Sequence, residues 1–412
     1  MANGLNGILS LDHCLPDPAQ NFFLRKEYNQ LFTSSKMGGG LLQLVAYGAQ
    51  DVYLTGNPQI TFWKVVYRRH TNFSMEAIEQ SFNGSPRFGS RVTAQISRNG
   101  DLIHRMWLQI ELPALTTGEG ITATYGDYCG LAAIKYIELE IGGQKIDKHY
   151  GEWMHIWNSL SLGAGKKDGY ETLTSGSMTP GTTARTAYVP LEFWFCRNPG
   201  LALPLIALQY HDVKVNIEFE SLVTIAGTGA ASTGNMDAKL WVDYIFADTD
   251  ERRRFSQMSH EYLIEQLQFT GDETTLSNVK LSFNHPCKEL IWVLKDNTAA
   301  KLTYVAGELA TAKLQLNGHD RFSERNGAYF SLIQPFQHHE NVPTSNNIYV
   351  YSFALKPEEH QPSGTLNMSR IDTAQLKLTL TAAPTADYVK VFAVNYNVLR
   401  ILSGMGGLAY AN

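Results

Sequence analysis

The sequence predicts an all-β protein built of two tandem eight-stranded antiparallel jelly-roll sandwiches, with short helices in the loops. Three observations carry this reading. Strand and turn landmarks in residues 60–255 recur in the same order in residues 258–400, apolar runs are bounded by Gly, Asn, Asp or Pro, and no βαβ rhythm appears.

The landmarks begin with alternating Val92, Ala94 and Ile96 ahead of Asp101-Leu-Ile103, echoed by Val279, Leu281 and Phe283 ahead of Glu289-Leu-Ile291. Leu139-Glu-Ile141-Gly-Gly143 and then Gly151-Glu-Trp153 return as Leu314-Gln-Leu316-Asn-Gly318 and then Gly327-Ala-Tyr329. Phe195 and Pro199 match Phe353 and Pro357, and the alternating run 213–219 matches 376–380. Phe246-Ala247 and Phe392-Ala393 close each copy. Any one match is weak, but their fixed order implies a tandem duplication. The spacing between partners shrinks along the chain because the first copy carries longer loops. Residues 113–128, 161–187 and 222–237 are rich in Gly, Thr, Ser and Ala with almost no large apolar side chains, so they are expected to be solvated and to form one exposed crown.

Strands are expected at 137–141, 213–219, 239–247, 376–380 and 389–394, and helices only at 151–160 and 259–268. The resulting division is an extension and arm at 1–59, sandwiches at 60–255 and 256–400, and a tail at 401–412. A chain of 412 residues exceeds what one hydrophobic core supports, so two cores are expected. A hydrophobic fraction of 44% argues against disorder.

A net charge of −5 provides no general field for phosphates, so direct nucleic-acid binding is not expected. Arg252-Arg253-Arg254 follows Asp248, Asp250 and Glu251, which suggests an ion-pair cluster at the junction of the copies. Cys14, Cys129, Cys196 and Cys287 stand far apart and are expected to be reduced thiols. With no apolar run of membrane length and no secretory signal, a soluble chain made inside the cell is expected.

Chemical motifs are sparse. Gly163-Ala-Gly-Lys-Lys167 lacks phosphate-loop spacing and a preceding buried parallel strand. His338-His339-Glu340 supplies adjacent side chains that diverge, which suits a solvated loop better than a metal. His149, near Glu152 and Trp153, has no evident nucleophile, and no GxSxG elbow occurs. Glu138 and Glu140 share one face of a strand about 7 Å apart. That spacing keeps a carbohydrate-binding or carbohydrate-cleaving sandwich open as an alternative, although a solvent-facing strand edge explains it as well. No catalytic, cofactor or metal residue is assigned. Sequons at Asn72, Asn83 and Asn367 are candidate glycosylation sites.

Longer strings carry a resemblance to a known family. They include Asp51-Val-Tyr-Leu-Thr-Gly-Asn-Pro58, Gly142-Gly-Gln-Lys-Ile-Asp-Lys-His-Tyr-Gly151 and Phe193-Trp-Phe-Cys-Arg-Asn-Pro-Gly-Leu-Ala-Leu-Pro204. Asp248-Thr-Asp-Glu-Arg-Arg-Arg-Phe255, Leu355-Lys-Pro-Glu-Glu-His-Gln-Pro-Ser-Gly364 and Ala393-Val-Asn-Tyr-Asn-Val-Leu-Arg400 complete the set. Over residues 37–412 the chain resembles the major capsid proteins of the nucleocytoplasmic large DNA viruses.

The resemblance implies a non-enzymatic virion protein without cofactors, whose homotrimer has a pseudo-hexagonal outline and tiles an icosahedral capsid. It also implies neighbouring capsomers, minor capsid and penton proteins as partners, a nearby inner membrane that the chain does not span, and assembly in the host cytoplasm. A minor double-jelly-roll paralogue is the alternative within the family. Candidate assembly contacts are Gly38, Gly39 and Gly40, in a segment that reads either as a partner-seeking arm or as a strand of its own domain. Pro199, Pro204, Pro357 and Pro362 are further candidates, in loops that read equally as subunit wedges or as merely rigid connections. Residues 1–36 depart from the family pattern and read either as an extra arm or as the product of an upstream start.

Overall fold

The computed structural model describes residues 45–60, 62–63, 67, 69–116, 123–176, 181–297, 301–343, 345 and 347–411. The chain divides into two compact units, residues 1–70 and 71–412. In the first unit a 3-10 turn, Ala49–Asp51, leads into the helical turn Val52–Thr55, and Tyr53, Ile60, Phe62 and Trp63 are exposed. Gly38, Gly39 and Gly40 lie outside the described residues.

The second unit opens with β1 (Phe73–Gln80), β2 (Phe82–Asn83), β3 (Arg91–Gln95), β4 (Leu102–Leu112) and β5 (Ile134–Ile141). It continues with β6 (Gln144–His149), β7 (Arg185–Pro190), β8 (Leu203–Pro204), β9 (Val213–Phe219) and β10 (Asp237–Ala247). These form antiparallel sheets in the orders β1-β10-β4-β7 and β2-β3-β9-β5-β6, with β8 beside β4. The second half supplies β11 (His260–Glu273), β12 (Asn278–Leu281), β13 (Pro286–Lys295), β14 (Leu309–Leu316), β15 (His319–Asp320) and β16 (Arg325–Asn326). Then come β17 (Ile348–Ser352), β18 (Leu366–Asn367), β19 (Ala374–Leu380), β20 (Tyr388–Leu402) and β21 (Met405–Leu408). Their orders are β11-β20-β13-β17 and β12-β19-β14-β15, with β18 beside β13, β16 beside β14 and β21 beside β20. Setting aside the short additions β2, β8, β16, β18 and β21, both halves order their eight principal strands 1-8-3-6 in one sheet and 2-7-4-5 in the other. That is a jelly roll written twice, as the landmarks predict.

Side-chain alternation explains each core. Leu108, Ile110, Val215, Ile217 and Leu240 meet between the first pair of sheets, and Leu290, Trp292, Leu314, Leu376 and Val391 between the second. The duplicated glycines show why the repeat persists in detail. A Cβ on Gly151 would stand 2.2 Å from the Leu131 carbonyl oxygen, and one on Gly327 would stand 2.1 Å from that of Leu309. Each opens a helical segment pressed against the backbone beside its own sheet, where only a hydrogen fits.

Three expectations need correction. Residues 259–268 are not helical, because His260–Glu273 is strand β11, and its ladder with β20 outweighs an apolar spacing that also suits a helix. Besides several helical turns of four or five residues, two longer helices lie outside the expected ranges, Ala164–Leu173 and Thr249–Gln257, the latter capped by Asp248 Oδ1 accepting from the Asp250 and Glu251 amides at 3.1 Å. The long loops of the first sandwich do gather into a crown, through Leu115 N to Thr182 O at 2.8 Å, Thr116 N to Ala231 O at 2.8 Å and Tyr125 N to Gly181 O at 2.9 Å. They are not simply solvated, however, since Leu115, Tyr125 and Ile225 are buried and tie the crown into the first core.

The opposite end gathers different parts. Phe73 pairs with Ala247, the last residue of β10, and the Ala247 amide donates to Asp101 at 2.9 Å. Arg252 joins Asp101 at 3.0 Å and Arg254 lies 3.7 Å from Glu251, so the basic triplet is partly spent on ion pairs as its charge balance suggests. Residues 401–408 continue β20 and return as β21, whose turn meets Tyr210.

Substitution Gly151→Ala is expected to destabilise the folded unit by about 2 kcal/mol or more, from overpacking against backbone. Gly165→Ala, in a helix where a Cβ meets nothing within 4 Å, is expected to be neutral or stabilising by about 0.5 kcal/mol. Denaturant unfolding of both variants checks the pair.

Candidate assembly site

The element that joins the two sandwiches is the helix Gly151–Ser161. It is buried on both sides: Met154 belongs to the first core, while Trp153, Ile156, Trp157 and Leu160 pack on Ile291, Val293, Ile348, Val350, Phe392 and Val394. Trp153 lies 5.7 Å from Trp157 and 5.4 Å from Phe392, ring centre to ring centre. The second sandwich's sheet is therefore covered on its outer face, which is why every residue of β13 after Pro286 is buried. Beside the tryptophans, Glu152 pairs with Lys390 at 2.6 Å and Lys295 at 3.5 Å, and β11 reaches β6 where the Leu267 amide donates to Asp147 Oδ1 at 3.1 Å. Nearer the crown, Lys301 donates to the Ala132 and Ile134 carbonyls at 3.0 and 2.7 Å and pairs with Glu220 at 3.1 Å. Burial pushes the Lys301 ammonium down to about 8 against the pull of Glu220.

A second clasp centres on Glu265. Arg197 of the first sandwich approaches it at 2.9 Å, Lys288 at 2.8 Å and His360 at 3.5 Å, and the Arg197 guanidinium lies 4.3 Å from the Trp157 ring. Burial by itself would raise the Glu265 carboxyl, but the His360 hydrogen bond and the Arg197 and Lys288 charges hold it at about 2. The two proline loops thus contribute to one intramolecular joint, with Arg197 beginning one and Glu359 O, in the other, accepting from Lys288 at 2.9 Å. Within them Pro204 and Pro357 are buried, whereas Pro199 and Pro362 are exposed.

His339 was read as part of a solvated loop, and the structure corrects this. Its side chain is fully buried between Glu289 at 3.0 Å and Glu358 at 2.9 Å, while neighbouring His338 bonds the Leu355 carbonyl. Burial alone would lower the imidazole, but Glu289 and Glu358 raise it to about 9. The remaining motifs are occupied as well. Glu138 pairs with Arg91 at 3.3 Å and Lys145 at 3.7 Å, and Glu140 accepts from Asn216 at 3.1 Å, so neither carboxylate is free for sugar chemistry. His149 faces Asp147 at 2.8 Å and stacks on Phe193, and Gly163 precedes an exposed helix. Asn72, Asn83 and Asn367 are exposed, although Asn367 already caps Ser369 N at 3.1 Å.

Among the described residues, exposed apolar side chains occur at two places of note. Leu332, Ile333 and Phe336 are exposed on the helical segment after β16, which reaches Leu355 through His338, with Phe336 80% and Leu355 73% exposed. At the end opposite the crown, Tyr210, Met258 and Leu402 border one shallow cleft and are likewise exposed. Sequence reasoning missed both, because these residues sit in short helical turns, loops and a strand end, too brief to show periodicity.

A group whose pKa is raised by folding stabilises most below its unfolded value and loses that contribution as pH climbs to the folded one. Stability from His339 is therefore present below about pH 6.5 and lost between 6.5 and about 9, on the order of 3 kcal/mol in all. His339→Gln is expected to remove this slope, and the difference between wild-type and variant unfolding curves across pH 6–9.5 isolates it from Lys301.

Comparison with known proteins agrees with this architecture. The family described as major capsid protein N-terminus matches residues 61–248, and the large eukaryotic DNA virus major capsid protein family matches residues 251–407. The major capsid protein of Pyramimonas orientalis virus is 58% identical, covering 91% of this chain and 100% of that protein. That of Paramecium bursaria Chlorella virus 1 is 46% identical over the same shares. A chain of the quasi-atomic PBCV-1 virus capsid superposes with a TM-score of 0.75 at 40% identity, covering 85% of this chain and 100% of that one. The Faustovirus major capsid protein, at 14% identity and a TM-score of 0.72, shares the fold. With both sandwiches matched and whole relatives covered, the chain belongs to the major capsid proteins of large eukaryotic DNA viruses, structural and non-enzymatic components of the virion shell.

Proposed function

We propose that three copies form a capsomer of nearly hexagonal outline and that such capsomers tile an icosahedral shell around a large double-stranded DNA genome. One observation carries this reading: each chain holds two sandwiches of identical strand order, locked side by side with their crown loops at one end. Three chains then present six similar blocks around a threefold axis, an outline that packs edge to edge on a flat facet. Exposed Phe336 and Leu355 are apolar side chains that such lateral contacts would cover. Exposed Pro199 and Pro362 are available as rigid wedges at subunit contacts.

The arm serves partners beyond the trimer. Tyr53, Ile60, Phe62 and Trp63 are apolar and exposed on a segment too short for its own core, which suits contact with neighbouring capsomers, minor capsid or penton proteins near an inner membrane. Gly38, Gly39 and Gly40 precede this segment and are proposed as assembly contacts with it. Synthesis and assembly are placed in the host cytoplasm.

Light scattering of the purified chain is expected to give three times 46.0 kDa. A monomer at every concentration and salt would overturn the trimer. Phe336→Glu is expected to weaken trimer or lattice formation while changing the stability of the folded chain by no more than about 0.5 kcal/mol. Asn72, Asn83 and Asn367 are proposed as sugar acceptors on the assembled surface. Virion-derived protein should then exceed an intact mass of 46.0 kDa, and an equal mass would exclude it.

A further inference from the structure

The helical segments between the fifth and sixth principal strands of the two sandwiches correspond residue by residue. Gly151 and Gly327, each pressed against backbone, open them, and counting on from these glycines pairs Met154 with Phe330 and Asn158 with Gln334. Met154 is buried in the first core and Phe330 in the second, and both amide side chains are buried as well. The same count pairs Ile156, Trp157 and Leu160 with Leu332, Ile333 and Phe336. Here the copies part. The first three cover the outer face of the second sandwich's sheet, whereas the second three are exposed.

The sheets show the complementary difference. Strand β13 is buried on both faces beneath the helix Gly151–Ser161. Its counterpart β4, beyond His104, and the neighbouring β10 instead alternate, with each outward side chain at least partly exposed. Those outward positions hold Trp107 and Trp241 in register, and exposed Tyr188 of β7 stands opposite Gln109. The Trp241 ring N–H donates to Gln109 Oε1 at 3.1 Å, so that indole keeps its partner when the face is covered. One chain thus carries a helix face without a sheet and a sheet face without a helix, and neither is satisfied within it.

We propose that residues 329–338 of one copy pack on the outer face of β4, β7 and β10 of the next, with Leu332, Ile333 and Phe336 against Trp107, Tyr188 and Trp241. The occupant is a second copy because the chain already makes this pairing once, with the equivalent helix on the equivalent sheet of a sandwich of the same strand order. The contact runs head to tail, helix to sheet. Each copy offers one of each, and three copies close into a ring when every sandwich turns by about 60° from the last. The inference rests on the trimer proposed above and narrows it, placing Phe336 at the seam inside the trimer.

A photoreactive benzoyl-phenylalanine in place of Phe336 of the full-length protein tests this seam, with light scattering reading the mass of the same preparation. Illumination is expected to join chains covalently, through peptides of another chain that contain Trp107, Tyr188 or Trp241. Tyr188→Glu is expected to weaken trimer formation about tenfold or more while the circular dichroism of the folded chain stays unchanged. A mass of three chains with the label attached elsewhere, or with Tyr188→Glu leaving association unaltered, would overturn the seam and leave the trimer standing. Wild-type protein that is monomeric throughout would overturn both. Should the label at 336 itself prevent association, the reciprocal label at Tyr188, expected to reach residues 329–338 of another chain, decides.

Discussion

The structure depends on one helix filling the space between two sheets. A jelly-roll sheet ordinarily buries one face, and its strands alternate accordingly. In β13 and β20 that alternation is overridden, because Leu290, Trp292, Val389 and Val391 face their own core while Ile291, Val293, Phe392 and Val394 face the helix Gly151–Ser161. Burying Trp153 and Trp157 there removes enough apolar surface to stabilise the joint by several kcal/mol, on the order of 2–3 for each side chain. Without that helix the second sandwich would carry an exposed apolar face. The two jelly rolls therefore form one compact unit, residues 71–412.

Apolar contact sets how strongly the sandwiches associate but fixes their register poorly, because it is non-directional. The buried charges supply direction. Glu152 reaches Lys295 and Lys390, Glu265 draws Arg197 from one sandwich and Lys288 from the other, and Lys301 spans to Glu220. Desolvation offsets most of the attraction in each pair, so their net contribution to stability is small. A slipped arrangement would leave those charges buried and unpaired at a cost of several kcal/mol. The network thus discriminates against wrong docking more than it strengthens the right one.

Legibility in the sequence follows from the range of the forces involved. The repeat was readable because hairpin turns such as Gly142-Gly143 and Asn317-Gly318 and strand alternation are local, and both copies retain them. Strand β11 was not, since Tyr262, Leu263, Leu267 and Phe269 fit a helical stripe nearly as well and only the ladder to β20 decides. The helix Thr249–Gln257 carries a readable signal in its Asp248 cap, but Phe255 is its one large apolar residue, so no apolar stripe extends that signal. Nothing local marks His339 as a buried cation, for its partner Glu289 lies on a strand distant in the chain. The joint and the exposed apolar patches are products of tertiary approach and have no periodicity to betray them.

The same division explains why the two copies differ where they do. Each residue of the ion-pair network sits in a strand, in the joining helix or in a connection outside 113–128 and 222–237, so these two crown loops contribute nothing to it. Loop length is inexpensive, about 0.6 kcal/mol for each doubling. Crown residues of the first copy can lengthen and change while β4, β10, β13 and β20 stay constrained by packing on one or both faces. Two sandwiches that began alike can therefore remain interchangeable in their sheets and unlike in their crowns.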